Sequence, residues 1–371
     1  MSGAGDGAPR TTAARLAGIV GALGLVLAAA GAAALFVGSA AVTPASVLAV
    51  LTGQETAEAV ARVVVLDLRL PRIAVAALAG GALAVAGVGF QALTRNPLAE
   101  PSVLGVSSGA AFGVVTGQLF GLGLTVLQAF GLTALAFAGA FIAGGAVYLI
   151  ASTAAGLPVH TLLLAGVIVG IFFSSAITVL ISLVDTNRLG GVIHWLLGNV
   201  APIPAGPLLV FAGLTAAGVA LVASQARRLN LLALGEEAAL QLGVDAEALK
   251  RRIFAGAALL TAAVVAFAGP IGFVGLIVPH ALRMLLGPDN RVLVPAAALG
   301  GGVFLLAADT LARSVVAPAE VSVGVITAFC GAPVFIALLR SRAAMVGRAE
   351  PCLTARRAKH GDSPSGARLQ P

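Results

Sequence analysis

The sequence predicts an all-α membrane protein of about ten transmembrane helices with both termini in the cytoplasm, and three observations carry that prediction. The first is polarity. Of 371 residues, 59% are hydrophobic before the 47 glycines are counted. With glycine included and the single tyrosine left out, the apolar share is roughly 71%, against about 45–50% in soluble proteins. The second is charge. Only 10% of the residues are Asp, Glu, Lys or Arg, where about 25% is usual, too few to cover the surface of a soluble globule. A soluble enzyme, a disordered chain and a nucleic-acid binder are excluded, despite a net charge of +7. The third is placement: residues 101–184 form 84 consecutive positions without a charged side chain.

About 20 apolar residues cross the hydrocarbon as a helix. The first such stretch, 16–38, is longer than a signal-peptide core and is expected to be retained. The second is 73–93. The charge-free run amounts to about 126 Å of helix at 1.5 Å per residue, enough for three crossings. Glycine and proline punctuate helices, so the breaks fall at Gly121–Gly123 and at Gly156-Leu157-Pro158, giving spans 103–121, 124–150 and 161–184. Further spans are 206–226, 253–270, 292–312 and 321–340. Residues 253–282 lack charge and are broken at Gly269-Pro270, too long for one crossing and short for two. The reading is one full span followed by a shorter returning helix, about 272–286. The domains are then an N-terminal cytoplasmic tail (1–15), a membrane domain (16–340) and a basic, disordered cytoplasmic tail (341–371). The two cysteines, Cys330 and Cys352, are too few for a disulfide scaffold.

The basic residues orient this layout. Even numbers of spans separate the N-terminal tail, the segment 227–252 and the C-terminal tail, so the three share a side. Seventeen of the 22 Lys and Arg fall there, and five opposite: Arg62, Arg69, Arg72, Arg188 and Arg313. The richer side is the cytoplasm. The excess positive charge is therefore a topology signal.

Glycine recurs at 105, 109, 113, 117 and 121, a four-residue spacing that lets helix backbones approach in lipid. The same stretch contains Gly105-Val106-Ser107-Ser108-Gly109, a literal match to the hydrolase G-x-S-x-G elbow. That elbow needs a strand–turn–helix setting and Asp and His partners, and this one sits in an apolar helix, so it is read as fortuitous. The four histidines are scattered without metal-site spacing, and no metal or cofactor is expected. His280 after Pro279 reads as support for a helix break, and His194 beside Trp195 as an interfacial anchor. No Walker A loop is present, so any ATP-driven work needs an ATPase on another chain. Ion-coupled carriers bury ionisable groups as relays. Here the deepest acid, Asp309, has Arg313 one turn later to neutralise it.

The segment 227–252, RRLNLLALGEEAALQLGVDAEALKRR, alternates leucines and acids between basic clusters, and Gly235 and Gly243 divide it into short helices. Such a hairpin suits docking into a partner's groove, or lying on the membrane surface; the pattern leaves both open.

Long blocks of the chain are similar to a known family. They are LRLPRIAVAALAGGALAVAGVGFQALTRNPLAEPSVLGVSSGAAFG (68–113), GEEAALQLGV, AFAGPIGFVGLIVPHALRMLLGPDNR (266–291), ADTLAR (308–313) and EVSVGVITAFCGAPVFIALLR (320–340). Together they resemble the permeases of ATP-binding-cassette (ABC) importers for iron–siderophore complexes, haem and cobalamin, over roughly residues 60–340 and in the same order. The resemblance implies a ten-helix subunit of the bacterial cytoplasmic membrane, without an ATPase site of its own. It pairs with a second permease subunit, identical or related, and is surrounded by lipid. Cytoplasmic ATP-binding subunits dock below it, and an extracytoplasmic substrate-binding protein docks above. It implies that 235–243 is the coupling segment, with Gly235, Glu236, Glu237, Leu242 and Gly243 as its contact residues. It also implies that Arg69, Arg72 and Arg313 face carboxylates on the binding protein. For Arg313 the alternative is pairing with Asp309.

Two departures stand out. The usual E-L-P-x-G is Glu320-Val321-Ser322-Val323-Gly324 here, and the turn where relatives often carry small polar residues holds Val159, His160 and Thr161, expected at a gate. Gln91 and Asn96 are candidates for lining the pathway or for capping a helix end. The function expected is ATP-driven import, foremost of ferric siderophores. Haem or cobalamin import and an ion-gradient carrier are the alternatives.

Overall fold

The computed structural model describes residues 13–336 apart from 39–41, 55–57, 122–130, 155, 184 and 185. The chain is helical from α1 (Ala13–Phe36) and the short α2 (Pro44–Leu51) onward. Helix α3 (Ala59–Arg62) passes through a π-helical turn (Val63–Arg69) into α4 (Leu70–Thr94), and a 3₁₀ turn (Pro101–Leu104) leads to α5 (Val106–Phe120). There follow α6 (Gly131–Ala151), α7 (Val159–Ser182), α8 (Thr186–Leu196), α9 (Ala205–Ser224), α10 (Ala226–Leu232), α11 (Glu236–Gln241), α12 (Ala246–Ala268), α13 (Val274–Leu286) and α14 (Asn290–Ser314). The last is α15 (Val323–Ile336). The chain divides into two compact units, 1–328 and 329–371, the second described only over the end of α15. The expected tails, 1–15 before Ala13 and all of 341–371, lie outside the described residues, as do Leu122 and Gly123 of the expected break after Gly121.

Among the described residues seven helices are long and apolar enough to cross a membrane, and α5, α13 and α15 are shorter apolar helices. Each of the ten expected spans lies on one of them. Helix α13 is about 20 Å long, less than the roughly 30 Å of hydrocarbon, as the short return after Gly269-Pro270 requires.

Helix α4 is the axis of the bundle. Every residue from Ala79 to Leu93 is buried, and α1, α9, α10, α12, α13 and α14 pack around it. A helix covered on all sides in a lipid environment gains little from bulk hydrophobicity; it gains from close approach. Small residues provide that. A Cβ on Gly80 would overlap the carbonyl oxygen of Gly301 on α14, one on Gly301 would overlap that of Gly80, and one on Gly87 would overlap that of Gly275 on α13.

The four-residue glycine stripe divides its work among three roles. Gly109 and Gly113 lie against the α6 carbonyls of Gly139 and Leu135, and Gly117 against Leu135 and Leu132. Gly105 instead faces the carbonyl of Gly166 on α7, and Gly121 meets nothing but ends α5 in the left-handed region at φ +65°. Ser107 sits in the first turn of α5 with no preceding strand, which removes the setting a nucleophile elbow needs.

The helix break expected at Pro279–His280 is absent, and α13 runs through Pro279. A proline inside a helix frees the carbonyl four residues earlier. That carbonyl belongs to Gly275, and Gln91 Nε2 of α4 donates to it at 3.3 Å and to Leu276 O at 3.2 Å. A neighbouring helix thus supplies the missing donor, and α13 stays continuous. The short helices α2 and α8 are not anticipated by the charge map, because neither is long enough to register as a span.

Replacing Gly87 with Val is expected to lower unfolding stability by about 1–3 kcal/mol or more. Gly213→Ala on α9, where a Cβ meets nothing within 4 Å, should leave it unchanged or slightly raised. Denaturant titration of the detergent-solubilised chain followed by circular dichroism reads both.

Candidate docking ends and transport groove

Three places on the bundle concentrate polar chemistry. The first lies where α1 ends, α4 begins and α14 ends. The π-helical turn carries Arg69 at its last position, Arg72 follows one turn later, and Arg313 is in the last turn of α14. Asp309, fully buried, joins two of them. Arg72 Nε donates to Asp309 Oδ1 at 3.0 Å and Arg313 Nε to Oδ2 at 3.0 Å. Arg72 Nη1 also donates to Glu320 Oε2 at 2.7 Å. Arg69 Nη1 donates to Leu35 O at 2.6 Å and Arg313 Nη1 to Val37 O at 3.1 Å, so both cations meet carbonyls left open at the end of α1. Gly38 makes room, since a Cβ there would stand 3.1–3.2 Å from both guanidiniums. The three arginines are only 3–8% exposed, yet together with Gly38, Leu68 and Glu320 they line a cleft of about 210 Å³.

The structure brings Arg69, Arg72 and Arg313, the three arginines singled out from the resemblance, to one cleft. The pairing of Arg313 with Asp309 is present, and Arg72 shares the same carboxylate. Glu320 was the missing member. Its signal was the Glu that opens the block 320–340.

The second place is the opposite end of α14, roughly 37 Å away along that helix. Helices α10 and α11 form a hairpin, with Gly235 at φ +117° and Gly243 at φ +79°, backbone that L side chains rarely adopt. Asn230 clamps the hairpin to the start of α14: its Nδ2 donates to Asp289 Oδ1 at 2.7 Å, and its Oδ1 accepts from the backbone N–H of Asn290 at 2.8 Å. Glu236 accepts from Lys250 Nζ at 2.9 Å and lies 3.9 Å from Arg95. Glu247 takes a second Lys250 bond at 2.7 Å and the N–H of Leu157 at 2.5 Å. Glu236 is therefore tied to Lys250 at the edge of the hairpin, with its side chain 41% exposed. Glu237 faces outward, and so do Leu234 (67% exposed), Leu240 (67%) and Leu242 (58%). Inside, Ala239, Leu229 and Leu232 are buried. Sequence reasoning missed Leu234 and Leu240 as members of this outer face, because only the fold separates inner from outer leucines.

The third place is a groove of about 510 Å³ between the 3₁₀ turn and α7. Its polar side is Ser102, Ser174, Ser175 and Thr178, with Gly166 and Gly170 as its floor. None of these had been singled out for it, since hydroxyls inside a charge-free run carry no distinctive spacing. Gln91 is 2% exposed and holds α13 as described. Asn96 Oδ1 accepts from Leu98 N–H at 3.0 Å, an Asx turn that ends the helix. Val159, His160 and Thr161 form the first turn of α7, with His160 exposed.

Glu100, also unanticipated, joins the turn after α4 to α13. Its Oε1 accepts from Phe273 N–H at 2.6 Å, at the amino end of α13, where the helix dipole favours a carboxylate. Burial nonetheless pushes the carboxyl above the usual range, outweighing the hydrogen bonds from Phe273 and Ser102.

Among the described residues no cluster of His, Cys, Asp or Glu has the arrangement of a metal site. Seven long apolar helices among the described residues, packed around a buried axis, define a multi-pass membrane protein. The sequence profile of the FecCD transport family matches residues 25–341. The cobalamin import system permease BtuC of Halobacterium salinarum is 44% identical over 283 residues, 76% of this chain and 74% of that protein. The hemin transport permease HmuU of Yersinia pestis is 42% identical over 277 residues, 74% and 82% of the two chains. The iron(3+)-hydroxamate import permease FhuB of Bacillus subtilis is 39% identical over 277 residues, 74% and 70%. A solved structure described as an inward-facing conformation of a metal-chelate type ABC transporter superposes with a TM-score of 0.75 at 32% identity, covering 88% of this chain and 99% of that one. The chain belongs to the FecCD transport family: it is the permease subunit of an ABC importer and not itself an enzyme. Such a subunit works with ATPase and substrate-binding partners.

Asp309→Asn leaves Arg72 and Arg313 without their shared counter-charge. It is expected to cost roughly 3–5 kcal/mol in the same denaturant titration, whereas Glu320→Gln, at the exposed edge, should cost far less. For Glu100, a folded-state pKa above the ordinary 4.5 means the native state holds the proton more tightly than the unfolded state. Its contribution falls as pH rises from about 4.5 through the raised value. Acidification from pH 7.5 to 5 should therefore stabilise the wild type relative to Glu100→Gln, read as the difference between their thermal midpoints at the two pH values.

Proposed function

We propose that the chain imports a bulky metal chelate, with a ferric siderophore as the cargo, in a bacterial cytoplasmic membrane. It does so as one of two permease subunits, identical or related, with both termini in the cytoplasm. The observation that carries this reading is the pair of partner-sized features at the two ends of α14: outward leucines on a rigid hairpin, and an arginine cleft with an acid at its rim. The basic excess on the hairpin side supports its cytoplasmic placement.

The hairpin is the ATPase contact. Leu234, Leu240 and Leu242 enter the partner's groove, Glu237 contacts its rim, and Gly235 and Gly243 set the sharp turns. Glu236 transmits movement inward through Lys250 and Arg95. The arginine cleft receives the binding protein. Glu320 holds Arg72 until an acidic group of the partner displaces it, so docking exchanges one carboxylate for another. That exchange keeps the cation compensated throughout. The cargo then passes the groove of Ser102, Ser174, Ser175 and Thr178, whose short hydroxyls and lack of charge permit sliding without strong binding. Val159, His160 and Thr161 close the path at the inner end of α7. Among relatives, names that refer to iron chelates recur, which supports the ferric-siderophore cargo. Cobalamin is the second reading, favoured by the 44% identity to a cobalamin permease.

Uptake into proteoliposomes that contain the permease, its ATPase and its binding protein tests the cargo: labelled ferric siderophore should accumulate with ATP, and cyanocobalamin should not. Accumulation driven by an ion gradient without ATPase would overturn the mechanism. Leu240→Arg with Leu242→Arg should abolish permease-stimulated ATP hydrolysis, and Glu236→Arg should do the same. Glu320→Gln, by releasing Arg72, should tighten binding-protein docking, and Arg72→Glu should weaken it by tenfold or more, about 1.4 kcal/mol, measured by surface-immobilised binding.

A further inference from the structure

Helices α6 and α12 are each long and apolar enough to cross a membrane, and they pack side by side. Between them runs a trough of about 460 Å³ that belongs to neither docking end nor to the serine-lined groove. Ala140, Gly144 and Ala262 make its floor, and Phe137, Phe141 and Leu259 its sides. Its polar lining is at one end, where Tyr148 and Arg251 stand. From Tyr148 back to Phe137, and from Arg251 on to Ala262, each helix covers twelve residues, and eleven rises make about 16.5 Å. One leaflet of hydrocarbon is about 15 Å deep.

The rim has the composition of a membrane interface, where aromatic and basic side chains collect. Tyr148 packs on Phe254 with ring centroids 6.0 Å apart, which fixes the phenol at the mouth. Arg251 is exposed and forms no ion pair among the described residues. Its acidic neighbour one turn earlier, Glu247, is held by Lys250 and by the N–H of Leu157. A guanidinium with no hydrogen-bonded acid among the described residues, attracted by Glu247 only at longer range, thus sits at the open end of an apolar slot one leaflet deep. A Cβ at Gly145, inside the trough, meets nothing within 4 Å, so the space is open at that position.

We propose that this trough binds one acyl chain of an anionic phospholipid, with Arg251 and Tyr148 holding the headgroup phosphate. Water cannot fill an apolar slot at this depth, and a lipid tail does so without losing dispersion contacts. The phosphate supplies the directly bonded anion that Arg251 does not have among the described residues.

The test uses the purified full-length chain in detergent, titrated with phosphatidylglycerol or phosphatidylcholine and read by native mass spectrometry. The wild type is expected to retain one phosphatidylglycerol in preference to phosphatidylcholine. Arg251→Gln, at an exposed position that folding does not depend on, should reduce that preference about fivefold, the worth of one basic side chain at an anionic surface. It should leave phosphatidylcholine retention unchanged. Gly145→Leu, a favourable change for a helix, should reduce retention of both lipids. Equal retention of the two lipids by the wild type, or a preference that survives Arg251→Gln, would overturn the proposal. So would lipid retention that survives Gly145→Leu; a changed oligomeric state in that variant would then place a second copy of the chain over the trough.

Discussion

Backbone-to-backbone contact around α4 is the constraint on which the rest of the bundle depends. In lipid, two apolar surfaces gain nothing by leaving a hydrocarbon solvent, so helices associate by dispersion and by geometry. Among the described residues six helices pack on α4, and its buried run is mostly alanine, glycine and valine, with Leu83, Phe90, Gln91 and Leu93 as the larger exceptions. Gly80 against Gly301, and Gly87 against Gly275, bring the axes close enough for the surrounding side chains to interlock. A single larger residue at these crossings displaces a whole helix, and with it whatever that helix carries.

What those helices carry is held by polar ties at the same crossings. Gln91 supplies donors to the carbonyls of Gly275 and Leu276, one of which Pro279 has deprived of its helical partner. Glu100 supplies an acceptor to the N–H of Phe273. Helix α13 is therefore fixed at its amino end by two side chains from around the end of α4, without needing length to stabilise it. Buried polar groups in a membrane bundle are costly when unpaired, so such ties specify position as well as adding stability.

Charge follows the same economy at the ends. Asp309 sits between Arg72 and Arg313, and Glu320 reaches Arg72 from the exposed edge. Lys250 similarly gathers Glu236 and Glu247. Asp309, Arg72, Arg313 and Lys250 are buried, while Glu320, Glu236 and Glu247 reach toward the exposed edge.

The sequence by itself determined the membrane class, the ten apolar segments, the breaks at Gly156-Leu157-Pro158 and Gly269-Pro270, and the two hairpin glycines. These are legible because they are local: a charge-free run or a glycine constrains its own stretch of chain wherever it goes. The grouping of Arg69, Arg72 and Arg313 came from resemblance in the blocks that contain them. Only the tertiary structure decided that Asp309 serves two arginines at once, that Glu236 is tied to Lys250 while Leu240 faces out unbonded to the bundle, and that Gln91 repairs the carbonyl freed by Pro279. The same holds for the hydroxyls of α7, which become a groove only when Gly166 lies against the 3₁₀ turn. Each depends on which residue of a distant helix arrives opposite, and in a chain of such uniform small apolar residues many registers look alike. Packing against the particular shape of the neighbour selects among them.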